Sequence, residues 1–265
     1  MNEEFNFAVK TAEKTGGELL KYFGNADDSL ARNTSKGFKT AHDNIADDII
    51  KKGIEKNFPI HSIFTEETGM IDKHSDYLWI IDPLDGTGNF VNNNPFFTVS
   101  IALWHKGEPV FGIMEASFLG RRFFARRGKG AWVIDFKRGH KSRARVSSIK
   151  ELKNSYFVTC EGGEKNKKRT ADIFYYIYRR VKELRKIGSA TIECSWVGTG
   201  KADAYYTPKC NLYDVAAGLL FVKEAGGRIL DFNLKPYKWA DFNIRDKFDL
   251  IIANKNLKLP KLNKF

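Results

Sequence analysis

The chain has 265 residues, 42% of them hydrophobic and 29% charged, which suits one large domain or two closely packed halves with a substantial core. No apolar run approaches a membrane span, and three widely spaced cysteines (Cys160, Cys194, Cys210) without a CxxC pair argue against a disulfide scaffold or a zinc site. The formal charge of +12 suits either a lysine-rich solvated surface or attraction of anionic partners.

In chain order, Phe5, Val9, Ala12, Gly16, Leu19 and Phe23 recur at spacings of three and four and predict an amphipathic first helix. The opening residues, Met1 to Phe5, begin acidic and carry no signal-peptide pattern; with the unpaired cysteines this predicts a reduced, cytoplasmic setting. Residues 25–39 read as a polar loop containing Lys36 and Lys39. Thr40-Ala41-His42-Asp43 is a capping sequence that opens a second helix reaching about Asn57. Ser62 to Thr65 predicts a short strand ending at Glu66-Glu67, and Tyr77 to Ile81 a buried one. Short apolar segments follow at Thr98 to Trp104, Pro109 to Ala116, Arg122 to Arg126 and Gly130 to Ile134, with a hairpin turn at 105–108. Beyond a charged stretch near Arg138 to Lys153, strands are predicted at Tyr156 to Thr159, Ala202 to Tyr206, Arg228 to Asp231 and Asp249 to Ala253. Helices are predicted at Thr170 to Leu184 and Asp214 to Ala225, the latter stopped by Gly226-Gly227. The basic tail from Asn254 reads as frayed.

The most informative stretch is Asp82-Pro83-Leu84-Asp85-Gly86-Thr87-Gly88-Asn89-Phe90, which follows the buried strand. Carboxylates delivered to a strand end are costly to desolvate unless cations join them, and Gly86 and Thr87 leave backbone N–H groups open to an anion. Other acids could share such a site: Asp43 at a helix start, Glu66-Glu67 at a strand end, and Asp214 opening Asp214-Val215-Ala216-Ala217-Gly218. Each also has a plainer reading, as a helix cap for Asp43 and Asp214 and as a solvated turn for the glutamates. Taken together they supply an oxygen-only donor set that suits Mg²⁺, with no histidine or cysteine cluster to compete for a transition metal.

This order of motifs, with Gly188-Ser189-Ala190, Ala202-Asp203-Ala204-Tyr205-Tyr206 and Glu224-Ala225-Gly226-Gly227, resembles the inositol monophosphatase family of lithium-sensitive, Mg²⁺-dependent phosphatases. The resemblance implies an α+β fold, a layered α/β/α/β/α sandwich of the sugar-phosphatase type, as one domain over 1–265 with halves at about 1–147 and 148–265, commonly a homodimer. It implies two or three Mg²⁺ ions. Glu66, Asp82 and the Leu84 carbonyl would hold the first; Asp82, Asp85 and Asp214 the second; Glu66, with Glu67, would border a third and orient the attacking water. Thr87 and Asp43 would polarise that water, and the N–H groups of Gly86 and Thr87 would grip the phosphate. Gly188, Ser189 and Thr207 would line the pocket for the alcohol, with Ser189 as a helix N-cap the alternative.

Tyr213 and Gly88 depart from the usual family pattern conservatively. Thr207 stands where inositol-selective members carry a glutamate, which removes a contact of about 1–3 kcal/mol and relaxes selectivity. The expected activity is hydrolysis of a small phosphorylated polyol or sugar, inositol 1-phosphate and/or fructose 1,6-bisphosphate. The alternatives are a 3′(2′),5′-bisphosphate nucleotidase and a phosphatase-fold protein that binds RNA or protein. No membrane partner is expected, and nucleic acid is not favoured.

Overall fold

The computed structural model describes residues 1–24, 32–34, 37–160 and 167–265, with 32–34 and 37–39 described by backbone alone. The chain is α+β and stacks five layers. Two helices, α1 (Asn2–Tyr22) and α2 (Ala41–Asn57), form the first layer. Between them, β1 (Arg32–Thr34) and β2 (Gly37–Lys39) pair as an antiparallel hairpin within the stretch read as a loop. Lys36 lies outside the described residues, as does the side chain of Lys39.

The second layer is an eight-stranded sheet. It contains β3 (Ser62–Thr65), β4 (Gly69–Ile71), β5 (Tyr77–Asp85), β6 (Thr98–His105), β7 (Glu108–Ala116), β8 (Arg121–Arg126), β9 (Gly130–Asp135) and β10 (His140–Arg143), in the order β10-β9-β8-β7-β6-β5-β3-β4. A five-residue helix, α3 (Thr87–Val91), leaves the end of β5. All neighbours in this sheet are antiparallel except β3 and β5, whose parallel register sets Thr65 against Ile81. That one pairing places the residues following β3 beside those ending β5, and Glu66 N–H donates to the Ile81 carbonyl at 3.2 Å.

The second half contributes β11 (Tyr156–Thr159), α4 (Lys167–Tyr178), β12 (Glu183–Lys186), α5 (Ala190–Gly198), β13 (Ala204–Cys210), α6 (Leu212–Glu224), β14 (Arg228–Leu230) and β15 (Phe248–Ala253). Its five strands form a second sheet in the order β12-β11-β13-β15-β14. Helices α5 and α6 are buried between the two sheets, and α4 covers the outer face of the second. Three apolar clusters correspond to the junctions between layers. One joins α1 and α2 to the first sheet, another surrounds α5 and α6, and a third gathers Ile173 and Ile177 of α4 with Phe157, Tyr206 and Ile251 of the second sheet.

Two expectations need correction. The helix read over Thr170 to Leu184 stops at Tyr178, because Leu184 is buried in β12, where it pairs with Phe157. The tail is not frayed: Leu257 and Leu262 are buried in the third cluster. Asn254 begins it by donating to the Ser147 hydroxyl and the Ile149 carbonyl and accepting from Asn256 and Leu257 N–H groups.

Close approach of α6 to the first sheet depends on glycine. A Cβ on Gly112 of β7 would lie 2.6 Å from Ala217 Cα and 2.7 Å from its carbonyl oxygen, so helix backbone would have to move. We expect Gly112→Ala to lower stability by about 1–3 kcal/mol. Gly17, exposed in α1 with open space at its Cβ position, gives the opposite expectation, a gain of about 0.5–1 kcal/mol for Gly17→Ala. Urea unfolding of the two variants checks both signs.

Candidate active site

Strand ends and helix starts converge beyond the C-terminal end of β5. Carboxylate oxygens of Glu66, Asp82 and Asp214 all lie within 4.8 Å of one another. Glu66 arrives by the parallel β3–β5 pairing, Asp82 on the buried strand itself, and Asp214 in the first turn of α6. No lysine or arginine forms an ion pair with these three among the described residues. Among the described residues, the site therefore gathers negative charge that no ion pair neutralises; Lys247 draws the Asp214 carboxyl down without pairing with it. Burial, then repulsion from Asp214 and the neighbouring acids, pushes the Glu66 carboxyl well up from its ordinary range, although Glu66 as a whole residue is exposed. Burial and then Glu66 do the same to Asp82, while burial drives Asp214 up to about 7 against the hydrogen bonds from Asn211. Such a donor set, oxygen only and short of positive charge, fits a hard divalent cation such as Mg²⁺.

Asp85 sits differently. A bulge between Asp82 and Asp85 in the β5–β6 pairing lets both acids face the site region although Pro83 and Leu84 intervene. Both Asp85 oxygens are taken up by the start of α5. Ala190 N–H donates to Oδ1 at 3.1 Å, and Thr191 N–H at 2.9 Å, the Ser189 hydroxyl and the Thr191 hydroxyl donate to Oδ2. Burial raises the Asp85 carboxyl, and these donors oppose the shift. Asp85 is thus not one of the compact three, though it contributes repulsion to Glu66 and Asp82.

Asp43, in the first turn of α2, and Thr87, at the start of α3, meet near the end of β5. The Thr87 hydroxyl lies 2.8 Å from Asp43 Oδ1 and 3.0 Å from the Leu84 carbonyl, so its one proton is directed inward. Asp43 Oδ2 is itself held by the Thr40 N–H at 2.7 Å and the Thr40 hydroxyl at 2.6 Å in a capping box. Asp214 plays the matching part in α6, accepting from Asn211 N–H at 2.8 Å. The plainer reading of Asp43 as a first-turn capping residue is correct in geometry, whereas the N-cap of α6 is Asn211 and not Asp214, which closes the capping box from the third helical position; both roles coexist with a place at the site. Gly86 precedes α3 with φ of +90°, and a Cβ there would lie 2.6 Å from the Phe96 carbonyl, so the turn requires glycine. Its N–H and that of Thr87 open a helix, where no intrahelical carbonyl can reach them.

Of the other anticipated residues, Glu67 is half-buried next to Glu66, and repulsion between the two adds to the rise at Glu66. Ser189 is the N-cap of α5, accepting from Ile192 N–H while donating to Asp85. Gly188 precedes it with φ of +83°. Thr207 is buried on β13, where the pairing with β15 shifts register before Cys210. Sequence reading missed Ala190 and Thr191 as anchors of Asp85, and it missed Asn89 and Glu193, which hold the 187–188 peptide. The three residues after Gly188 open a helix, and first-turn N–H groups aimed at an acid were the available signal.

The inositol monophosphatase family model matches residues 1–262. The chain belongs to the inositol monophosphatase family. It is 34% identical over 239 residues to a protein of Pasteurella multocida named Nus factor SuhB, with 88% of this chain and 86% of the relative covered. A Thermotoga maritima protein named fructose-1,6-bisphosphatase/inositol-1-monophosphatase is 34% identical over 234 residues, with the same coverage of each. Among solved structures, the Thermotoga maritima IMPase superposes with a TM-score of 0.83 at 32% identity, covering 95% of this chain and 92% of that one. The suhB protein of Bartonella henselae gives 0.83 at 28% identity, covering 96% and 95%. These likenesses agree with the layered sandwich. No helix among the described residues is long and apolar enough to cross a membrane.

The raised acids link stability to pH. A carboxyl whose folded pKa exceeds its unfolded value stabilises the fold below the unfolded value and loses that contribution as pH rises through the folded one. For Asp214 the window runs from about 4, the ordinary carboxyl range, to about 7. The metal-free protein should therefore lose melting temperature across that window. Mg²⁺, competing with protons for the same oxygens, should raise it more at pH 8 than at pH 5.5, by about 2.7 kcal/mol of stability at 100 times Kd. Thermal melts with and without Mg²⁺ at both pH values check this, and equal shifts would contradict it.

Proposed function

We propose that this protein hydrolyses small phosphate monoesters in a Mg²⁺-dependent reaction. The observation that carries the reading is the Glu66–Asp82–Asp214 group, without an ion-pair partner among the described residues, beside a Thr87 hydroxyl locked onto Asp43. The name of the Thermotoga relative supports it. Glu66, Asp82 and Asp214, joined by Asp85, the Leu84 carbonyl and, at a third ion, Glu67, would hold two or three ions. When bound, Mg²⁺ supplies Lewis-acid stabilisation of phosphate charge and lowers the pKa of a coordinated water.

The chain's own residues then have defined tasks. Thr87 gives its proton inward, toward Asp43 and the Leu84 carbonyl, which leaves its oxygen lone pairs to accept a hydrogen bond from a nucleophilic water. Asp43, pinned by Thr40, keeps that hydroxyl from rotating, and Glu66 orients the same water from the β3 side. Gly86 and Thr87 N–H groups would face the phosphate oxygens. The alcohol would lie toward Gly188, Ser189 and Thr207. Thr207 places no charge there, which favours a broad specificity over inositol 1-phosphate and fructose 1,6-bisphosphate. A homodimer and lithium sensitivity are carried over from the family resemblance.

Asp85→Asn and Asp214→Asn should each lower kcat by more than about 100-fold in phosphate-release assays while circular dichroism remains native. Rates on inositol 1-phosphate, fructose 1,6-bisphosphate and adenosine 3′,5′-bisphosphate, measured side by side, would rank the substrates. No turnover on any of them with Mg²⁺ would remove the phosphatase reading.

A second, binding role has its own observation. A groove of about 390 Å³ between α1 and β8–β10 has a floor of Phe5, Phe124 and Trp132 and a rim of Arg126, Lys129 and Lys141, and relatives carry the name Nus factor SuhB. If RNA is taken up there, binding should be salt-sensitive, survive Asp85→Asn and fall about tenfold or more on Lys129→Glu/Lys141→Glu, read by fluorescence anisotropy of a labelled single strand.

A further inference from the structure

The Asp85 anchor has an anchor of its own. Asp85 is gripped by Ser189, Ala190 and Thr191, and the peptide leading into them, Ile187–Gly188, is held from both sides. Glu193, in the first turn of α5 and fully buried, turns its Oε1 back onto the Ile187 N–H at 3.0 Å, with the Gly188 N–H at 3.4 Å. Asn89 of α3 donates its side-chain amide to the Ile187 carbonyl at 2.9 Å and the Gly188 carbonyl at 3.3 Å, and also to the Phe96 carbonyl at 2.8 Å. The other Glu193 oxygen accepts the Cys160 thiol at 2.7 Å, which ties the arrangement to the end of β11. Gly188 takes a positive φ between these holds, and a Cβ there would meet the Asn89 amide at 3.4 Å.

An acid buried among apolar residues of α5 is an expensive way to hold a loop. Burial pushes the Glu193 carboxyl up to about 7 even though the Cys160 thiol and the Ile187 N–H oppose the shift. Leu, Ile or Val at this position would satisfy the helix as well and leave the part-buried Ile187 and Gly188 N–H groups without this acceptor. The acceptor is what the position supplies, and its effect reaches Asp85 through two residues of chain.

We propose that Glu193 is a positioning residue for the reaction: with Asn89 it clamps the Ile187–Gly188 peptide, so that the start of α5 presents its donors to Asp85 and fixes that carboxylate for metal binding. The proposal rests on the phosphatase reading for its consequence on turnover, but its effect on Mg²⁺ binding can be read without turnover.

Removal of the acceptor in Glu193→Ala should raise the Mg²⁺ concentration for half-maximal activity by about tenfold and lower kcat, with KM for the phosphate ester changed less than about threefold. The Mg²⁺-induced rise in melting temperature should need a correspondingly higher Mg²⁺ concentration. Glu193→Gln keeps a carbonyl oxygen for the Ile187 N–H and should recover most of the loss. Asn89→Ala releases the same peptide from the other side, so it should give a similar Mg²⁺ effect. The double variant with Glu193→Ala should be little worse than the worse single variant. This second substitution keeps the test open if Glu193→Ala folds poorly. A lower melting temperature with the Mg²⁺ dependence unchanged would make Glu193 merely structural and overturn the proposal, as would fully additive effects of the two alanines or a Gln variant as impaired as the alanine. Absence of turnover in the unaltered protein would remove the phosphatase reading alone, since the Mg²⁺ melting shift would still report on the clamp.

Discussion

Repulsion among carboxylates at the end of β5 is the constraint around which the molecule is arranged. Two negative charges at the 4.8 Å limit of the Glu66–Asp82–Asp214 group repel by about 3–4 kcal/mol at an effective dielectric near 20, and each also loses hydration on burial. No side-chain cation forms an ion pair with the three among the described residues, although Lys247 eases the charge at Asp214. The protein instead surrounds the acids with the positive ends of helices. Asp43 and Asp214 sit in the first turns of α2 and α6, and Asp85 faces the first N–H groups of α5. Each start offers about half a unit of positive charge and directed donors, enough to fix the carboxylates in place but short of neutralising them. The residual negative charge is what a divalent ion would complete.

This arrangement makes fold and site share residues. Asp43 closes the capping box of α2 and also receives the Thr87 hydroxyl; Asp214 closes the box of α6 and also belongs to the acid group. A helix cap contributes about 1 kcal/mol, so loss of either side chain bears on stability and chemistry together. An amide in place of the acid keeps the carbonyl oxygen that accepts the cap hydrogen bond and removes the charge. Asparagine variants therefore separate the two roles better than alanine variants.

Much of the site was legible because it is local. Asp82 to Thr87 follows one apolar strand, and both Thr40–Asp43 and Asn211–Asp214 carry their capping signals within four residues. What brings Glu66 to Asp82 was not legible from pattern, since it depends on parallel pairing of β3 with β5 across the β4 hairpin, a register that alternation alone does not specify. Family resemblance supplied that neighbour, and the sheet supplies its cause. The failures are of the same kind. Leu184 continued a helical apolar spacing but is drawn into β12 by pairing with β11, and Leu257 and Leu262 lie in a lysine-rich tail that looked solvated until the second sheet gave them a surface to cover. Glu193 gave no signal, because it holds the 187–188 peptide through backbone N–H groups, which every residue but proline carries, and its one side-chain partner, Cys160, lies 33 residues away.

The placement of Ser189 and Thr207 bears on substrate selection. The single proton of Ser189 goes to Asp85, and its oxygen already accepts from Ile192 N–H, so toward a sugar hydroxyl it has little left to offer. Thr207 is buried in β13 beside the shift in register that precedes Cys210. Neither residue brings a charge to the alcohol. On the proposed reading, Asp82, Asp85, Asp214 and the Gly86–Thr87 turn would direct the strong interactions of this site at the phosphate and its ions. Discrimination among phosphate esters would then fall to the shape of the wall around Gly188. That wall is the segment held between Asn89 and Glu193, so the clamp proposed to orient Asp85 would also set the space in which the alcohol must fit.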